Sequence, residues 1–133
     1  IEKFLSFIRK DHIAIIVDKN GKIVAFGITM PFLSKAFQKA NGHLFPFGLF
    51  YIIKAMKNND KVELLLIGVN PKLQGKGINA IIFKELMTIF SNNNVLYTET
   101  NAELESNHKV QNQWKLFEKR QHKRRRCYIK KLT

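Results

Sequence analysis

Cysteine, acid and proline are all scarce in this chain. Among 133 residues there is one cysteine, Cys127, so no internal disulfide framework holds the fold together. That usage suits a reducing compartment, and a cytoplasmic location is expected. No apolar run reaches the ~18 residues that a membrane span needs, and no secretory leader is visible. The four histidines (His12, His43, His108, His122) show no metal-ligand spacing, alone or with Cys127, so no metal is expected. Cys127 itself is expected to be a buried thiol. What remains is ordinary: 45% hydrophobic and 25% charged residues exclude a disordered or collagen-like chain. A chain of this length buries roughly two thirds of its unfolded surface. One domain spanning 1–133 is expected, and because it begins at Ile1, the C-terminal part of a longer protein.

Acid is the most telling shortage. Ten Asp and Glu face 23 Lys and Arg, a formal net charge of +13. The excess is concentrated at the end: Lys119 to Arg126 holds six basic residues in eight. A positive field favours phosphate-bearing partners, be they a phosphorylated cofactor, a nucleic acid or an anionic surface.

Apolar periodicity predicts a short amphipathic helix over 1–10. A β-hairpin follows, with strands at His12 to Val17 and Lys22 to Met30 around the turn Asp18-Lys-Asn-Gly21. Residues 32–60 read as a helical insert rich in aromatics, with helices over Ser34 to Ala40 and from Leu49 to Met56. Its aromatic residues are expected to close the core over one sheet face; an acceptor pocket or a subunit interface are the other readings. Lys61 to Val69 is a near-continuous apolar run, expected as a buried strand. A loop, 70–77, leads into a helix carrying Ile78, Ile81, Ile82, Leu86, Ile89 and Phe90 on one face. Strand 95–100, a helix over 107–119 and a last strand over 124–132 complete the pattern. The expected fold is α/β, a mixed and mostly antiparallel sheet flanked by helices.

The loop Val69-Asn-Pro-Lys-Leu-Gln-Gly-Lys-Gly-Ile-Asn-Ala80 joins a strand to a helix N-terminus. Unpaired N–H groups, the helix dipole, Lys72 and Lys76 make it an anion site suited to a phosphate or pyrophosphate. The Walker loop is absent, because no Gly-Lys is followed by Ser or Thr. Gly75-x-Gly77-x-x-Ala80 fits the dinucleotide fingerprint, with Glu99 near its ribose position, but five residues separate it from the strand.

A third reading fits better. V-x-P-x-x-Q-G-K-G-I resembles the coenzyme A-binding loop of the Gcn5-related N-acetyltransferase family, with its pattern Q/R-x-x-G-x-G/A. Gln74 and Gly77 match, and Asn79 stands where the family has Gly or Ala. More loosely, Glu99 to Arg126 resembles a bacterial subgroup of that superfamily. The resemblance covers roughly 12–130, and the family's N-terminal strand and early helices are missing. It implies acetyl-CoA as acyl donor and an amine, small-molecule or peptide, as acceptor. It implies cofactor contacts at Ile67, Gly68 and Val69 on the strand, at Gln74, Gly75, Lys76, Gly77, Ile78 and Asn79 on the loop, and at Asn107. Glu63 lies at the offset of a catalytic glutamate in some members and is the candidate general base. The family's tyrosine acid has no counterpart, since Trp114 stands there and an indole N–H is no practical acid; Tyr97 is one substitute. Glu99, Glu103 and Glu105 form an acidic group that could face a cationic acceptor. A homodimer, and a non-catalytic acyl-CoA-binding or nucleic-acid-binding module, remain open.

Overall fold

The computed structural model describes residues 8–131. The helix expected over 1–10 lies outside them except for its last three residues. The chain divides at Thr100 into two compact units, 1–100 and 101–133.

The first unit is built on a four-stranded sheet in the order β1-β2-β3-β4. Strands β1 (Ile13–Val17) and β2 (Ile23–Pro31) form the expected hairpin. Its turn is fastened by Asp18, whose Oδ1 accepts hydrogen bonds from the N–H groups of Asn20 and Lys22, each at 2.9 Å. Strand β3 (Lys61–Val69) pairs antiparallel with β2, and β4 (Tyr97–Thr100) pairs parallel with β3. The parallel step requires a crossover, and helix α3 (Ile78–Asn92) supplies it.

Helix α3 covers one sheet face. Ile82, Leu86 and Phe90, four residues apart, are all buried. The sheet makes room for them at Gly27: a Cβ there would lie 3.0 Å from Ile82 and 3.2 Å from Leu86. Ile81, placed by its spacing on the same stripe, is exposed instead.

Between β2 and β3 the insert forms helices α1 (Ser34–Ala40) and α2 (Gly48–Lys57), which pack on each other. Asn41 and Gly42 stop α1 in left-handed conformations. The pair has a small core of Leu33, Ala36 and Ile52, joined by Met30 and Tyr51. The other aromatics do not close the sheet: Phe45 is 79% and Phe47 66% exposed. That corrects the expectation. Helix α2 is apolar on several sides, so one of its stripes stays outside when the other packs.

His12 is buried beside Thr29, its Nδ1 3.3 Å from Thr29 Oγ1, which itself donates to the His12 carbonyl. Burial pushes the imidazole pKa below its ordinary value; Asp11 opposes this and Arg9 adds to it. The folded chain therefore resists a proton that the unfolded chain accepts below about pH 6.5. Stability is expected to fall as pH drops from 7.5 to 5.5. Thermal unfolding of His12→Gln should show a flatter dependence over that window than the parent chain.

The second unit contains helix α4 (His108–Gln113) and a turn at Trp114–Leu116. Its helix is shorter than the 107–119 expected. The strand expected over 124–132 is not formed: residues 117–131 have no regular structure. The apolar stretch Cys127-Tyr128-Ile129 lies within a run of cations, and the last two residues are exposed. Cys127 is exposed too, against the buried thiol expected.

Candidate cofactor and acyl-transfer site

The candidate site begins at an irregularity in β3. Ile28 pairs with Leu66 but Thr29 pairs with Leu64, so Leu65 is an extra residue, a β-bulge. Pairing between β3 and β4 runs only from Lys61–Tyr97 to Leu64–Thr100 and stops at that bulge. Beyond it, Leu66 to Val69 stay paired with β2, but among the described residues no strand lies on their other side. At 3.3 Å per residue this open edge is about 13 Å long. A continuous apolar sequence gives no hint of the bulge.

The open edge runs into the loop. Asn70 N–H still bonds to β2 at the Val24 carbonyl, 2.9 Å, and its side chain accepts from Lys72 N–H. A single 3-10 turn, Pro71–Leu73, follows. Gln74 folds back, its Nε2 donating to the Val69 carbonyl at 3.4 Å. Its side chain therefore helps close the loop on the strand end. Gly75 and Gly77 have φ of +76° and +82°, which side-chain-bearing residues rarely adopt. Nothing lies within 4 Å of a Cβ built on either, so the space above them is open. Gly77 is the N-cap of α3 and offers no side chain to cap it.

Four backbone donors are left over. Among the described residues, the N–H groups of Gly75, Gly77, Ile78 and Asn79 have no acceptor in the chain. Lys72 and Lys76 beside them are exposed. Open space, N–H groups without acceptors, a helix N-terminus and two cations make a cradle that fits a pyrophosphate. A strand edge leading into it fits an amide-bearing arm. The residues present thus suit the donor that the resemblance implies.

Gly68 has a second reason to be glycine. A Cβ there would lie 2.6 Å from the Phe26 ring, its cross-strand partner. The resemblance implies a cofactor contact at Gly68, and packing under Phe26 accounts for the glycine as well.

Glu63 is half-buried on β3, opposite Met30 and in register with Glu99 of β4. The bulge puts Glu63, Leu66 and Gly68 on one face, together with Phe26 and Ile28 and away from α3. Tyr97 shares that face, its ring under the Lys61 ammonium at 5.3 Å. Glu99 lies on β4 of the first unit, and Glu103 and Glu105 lie in the second. Glu103 accepts a hydrogen bond from Trp114 Nε1 at 2.7 Å, and Glu105 pairs with Arg124 at 2.9 Å, both within the second unit. Asn107 also belongs to that unit, where its Oδ1 caps α4 through Val110 N–H. Among the described residues no group of His, Cys, Asp and Glu could hold a metal ion.

The bulged strand, the open edge and the loop before the crossover helix belong to a fold that this chain shares with solved N-acetyltransferases, as the family resemblance in the sequence implies. The BH1408 protein from Bacillus halodurans, as a tetramutant, superposes with a TM-score of 0.62 over 96% of this chain and 73% of its own, at 15% identity. An aminoglycoside N-acetyltransferase, AAC(6')-Iy, solved with CoA, gives 0.58 over 98% and 85%, at 14% identity. A protein provisionally named a phosphinothricin N-acetyltransferase gives 0.60 at 14% identity, and this chain spans only 60% of its length. No family model matches the chain, and no curated protein does. No helix among the described residues is long and apolar enough to cross a membrane.

Proposed function

We propose that this chain transfers an acetyl group from acetyl-CoA to a primary amine. The observation that carries the reading is the cradle of four N–H donors without acceptors at Gly75, Gly77, Ile78 and Asn79. In this reading these amides, with Lys72 and Lys76, hold the pyrophosphate, and Gln74 keeps the loop closed. The pantetheine arm lies along the open edge, pairing with the backbone of Ile67, Gly68 and Val69. That leads the thioester toward the bulge and toward Glu63.

The acceptor approaches on the face of Glu63. Its nitrogen must be neutral to attack, and Glu63 takes the proton it sheds. The new C–N bond forms as the C–S bond breaks, and the thiolate leaves. No acid is assigned to it: the Trp114 N–H is engaged by Glu103, and an indole does not titrate usefully. Asn107 is given no role beyond its cap. The test is release of free CoA from acetyl-CoA in the presence of a panel of amines. Release that depends on the amine is expected; binding without any turnover would leave a non-catalytic acyl-CoA module.

A further inference from the structure

The insert presents an apolar surface that the described residues leave exposed. Phe45, Phe47 and Phe50 are 79%, 66% and 62% exposed, and Phe37, Leu44 and Ile53 are exposed beside them. The three phenylalanines alone leave on the order of 400 Å² in water, the size of the largest apolar patch on a typical soluble monomer, which is often a functional surface. Residues exposed to this extent are not the walls of a pocket. They lie on the tip between α1 and α2 and on the outer stripes of both helices, while Leu33, Ala36 and Ile52 hold the helices together from inside.

Charge decides what the surface meets. Lys35, Lys39, Lys54 and Lys57 are exposed on the same two helices. No Asp or Glu occurs anywhere between Asp18 and Asp60. A second copy docking through this surface would set four lysines against four with no acid to offset them, and like charges across an interface oppose association. Exposed aromatics on helices that also expose lysines instead match an anionic lipid interface: the rings enter the boundary between headgroups and acyl chains, and the ammonium groups stay with the phosphates.

We infer that the α1–α2 insert is a peripheral docking element for membranes bearing anionic lipids. It would hold the chain on the membrane surface without crossing it. The inference is independent of the proposed acetyl transfer, since none of these residues belongs to the loop, the open edge or Glu63.

The full chain should float with vesicles of phosphatidylcholine containing roughly a quarter phosphatidylserine, and bind vesicles of phosphatidylcholine alone at least about tenfold less. Phe45→Ser with Phe47→Ser changes no charge and removes no buried group. It should lower binding by about tenfold while the thermal midpoint stays close to that of the parent chain. Lys35→Glu with Lys54→Glu should lower it comparably. If the double Phe variant binds as well as the parent, the basic residues at 119–131 carry the affinity and the inference fails. Absence of vesicle binding overturns it too, as does a dimer in light scattering that the Phe variant converts to monomer.

Discussion

Gly77→Glu is expected to lower acetyl-CoA affinity by at least about a hundredfold, with the fold retained. Two effects act on this variant, and their sizes differ. Gly77 has φ of +82°, so any side chain there carries strain, of order 1 kcal/mol for a non-glycine residue in the left-handed region. Nothing lies within 4 Å of the new Cβ, so no clash adds to it. The carboxylate, however, would stand in the space above the free amides, where the pyrophosphate is proposed to sit. Two like charges about 4 Å apart repel by about 4 kcal/mol at an effective dielectric of 20. Repulsion exceeds strain, so binding should suffer more than stability. Gly77→Ala separates the two: it has the strain without the charge, and should bind within about tenfold of the parent. Calorimetric titration of both variants, with thermal midpoints alongside, checks this. Equal losses for Ala and Glu would mean that the loop's shape matters and that no anion sits there.

Glu63→Gln is the second large effect. The amide keeps the size of the side chain and removes its ability to accept a proton. General-base catalysis typically contributes about a hundredfold to ten-thousandfold, so the acetyl-transfer rate should fall within that range. Acetyl-CoA affinity should change by less than about twofold, because Glu63 lies below the bulge and the proposed arm lies above it. Steady-state kinetics against a single amine read both values. A rate unchanged by the substitution would remove Glu63 from the mechanism. Its register neighbour Glu99, or water, would then be the group to test. A fall in cofactor affinity alone would make Glu63 a binding residue.

Much of this site was legible before any coordinates. The Asp18 to Gly21 turn, the long strand 61–69, the crossover helix and the glycines of the loop each have a local cause. A left-handed turn needs glycine, a helix start leaves free amides, and a long apolar run marks a strand. The two-sided burial expected for 61–69 is not found: only Val62 and Leu64, on the face of α3, are buried, and Leu66 on the other face is 59% exposed. The features that were not legible depend on partners distant in sequence. Leu65 became a bulge because β2 pairs with Leu66 and Leu64 around it, and nothing within Lys61 to Val69 marks that residue. Gly68 was read for the cofactor, whereas Phe26, forty-two positions earlier, sets its packing. Helix α2 presents Leu49, Phe50, Ile52 and Ile53 around its axis, and periodicity alone could not tell that only Ile52 would be buried. The expected last strand has only Cys127, Tyr128 and Ile129 as consecutive apolar residues, and among the described residues it forms no ladder.

Acetyl transfer by this chain requires the loop from Val69 to Asn79 to hold a coenzyme A pyrophosphate. Calorimetric titration of the whole chain with acetyl-CoA, with NAD as the control, tests it most directly. Saturable binding of acetyl-CoA at micromolar concentration, and none of NAD, is expected. Binding of NAD in preference to acetyl-CoA, or of neither, would contradict it.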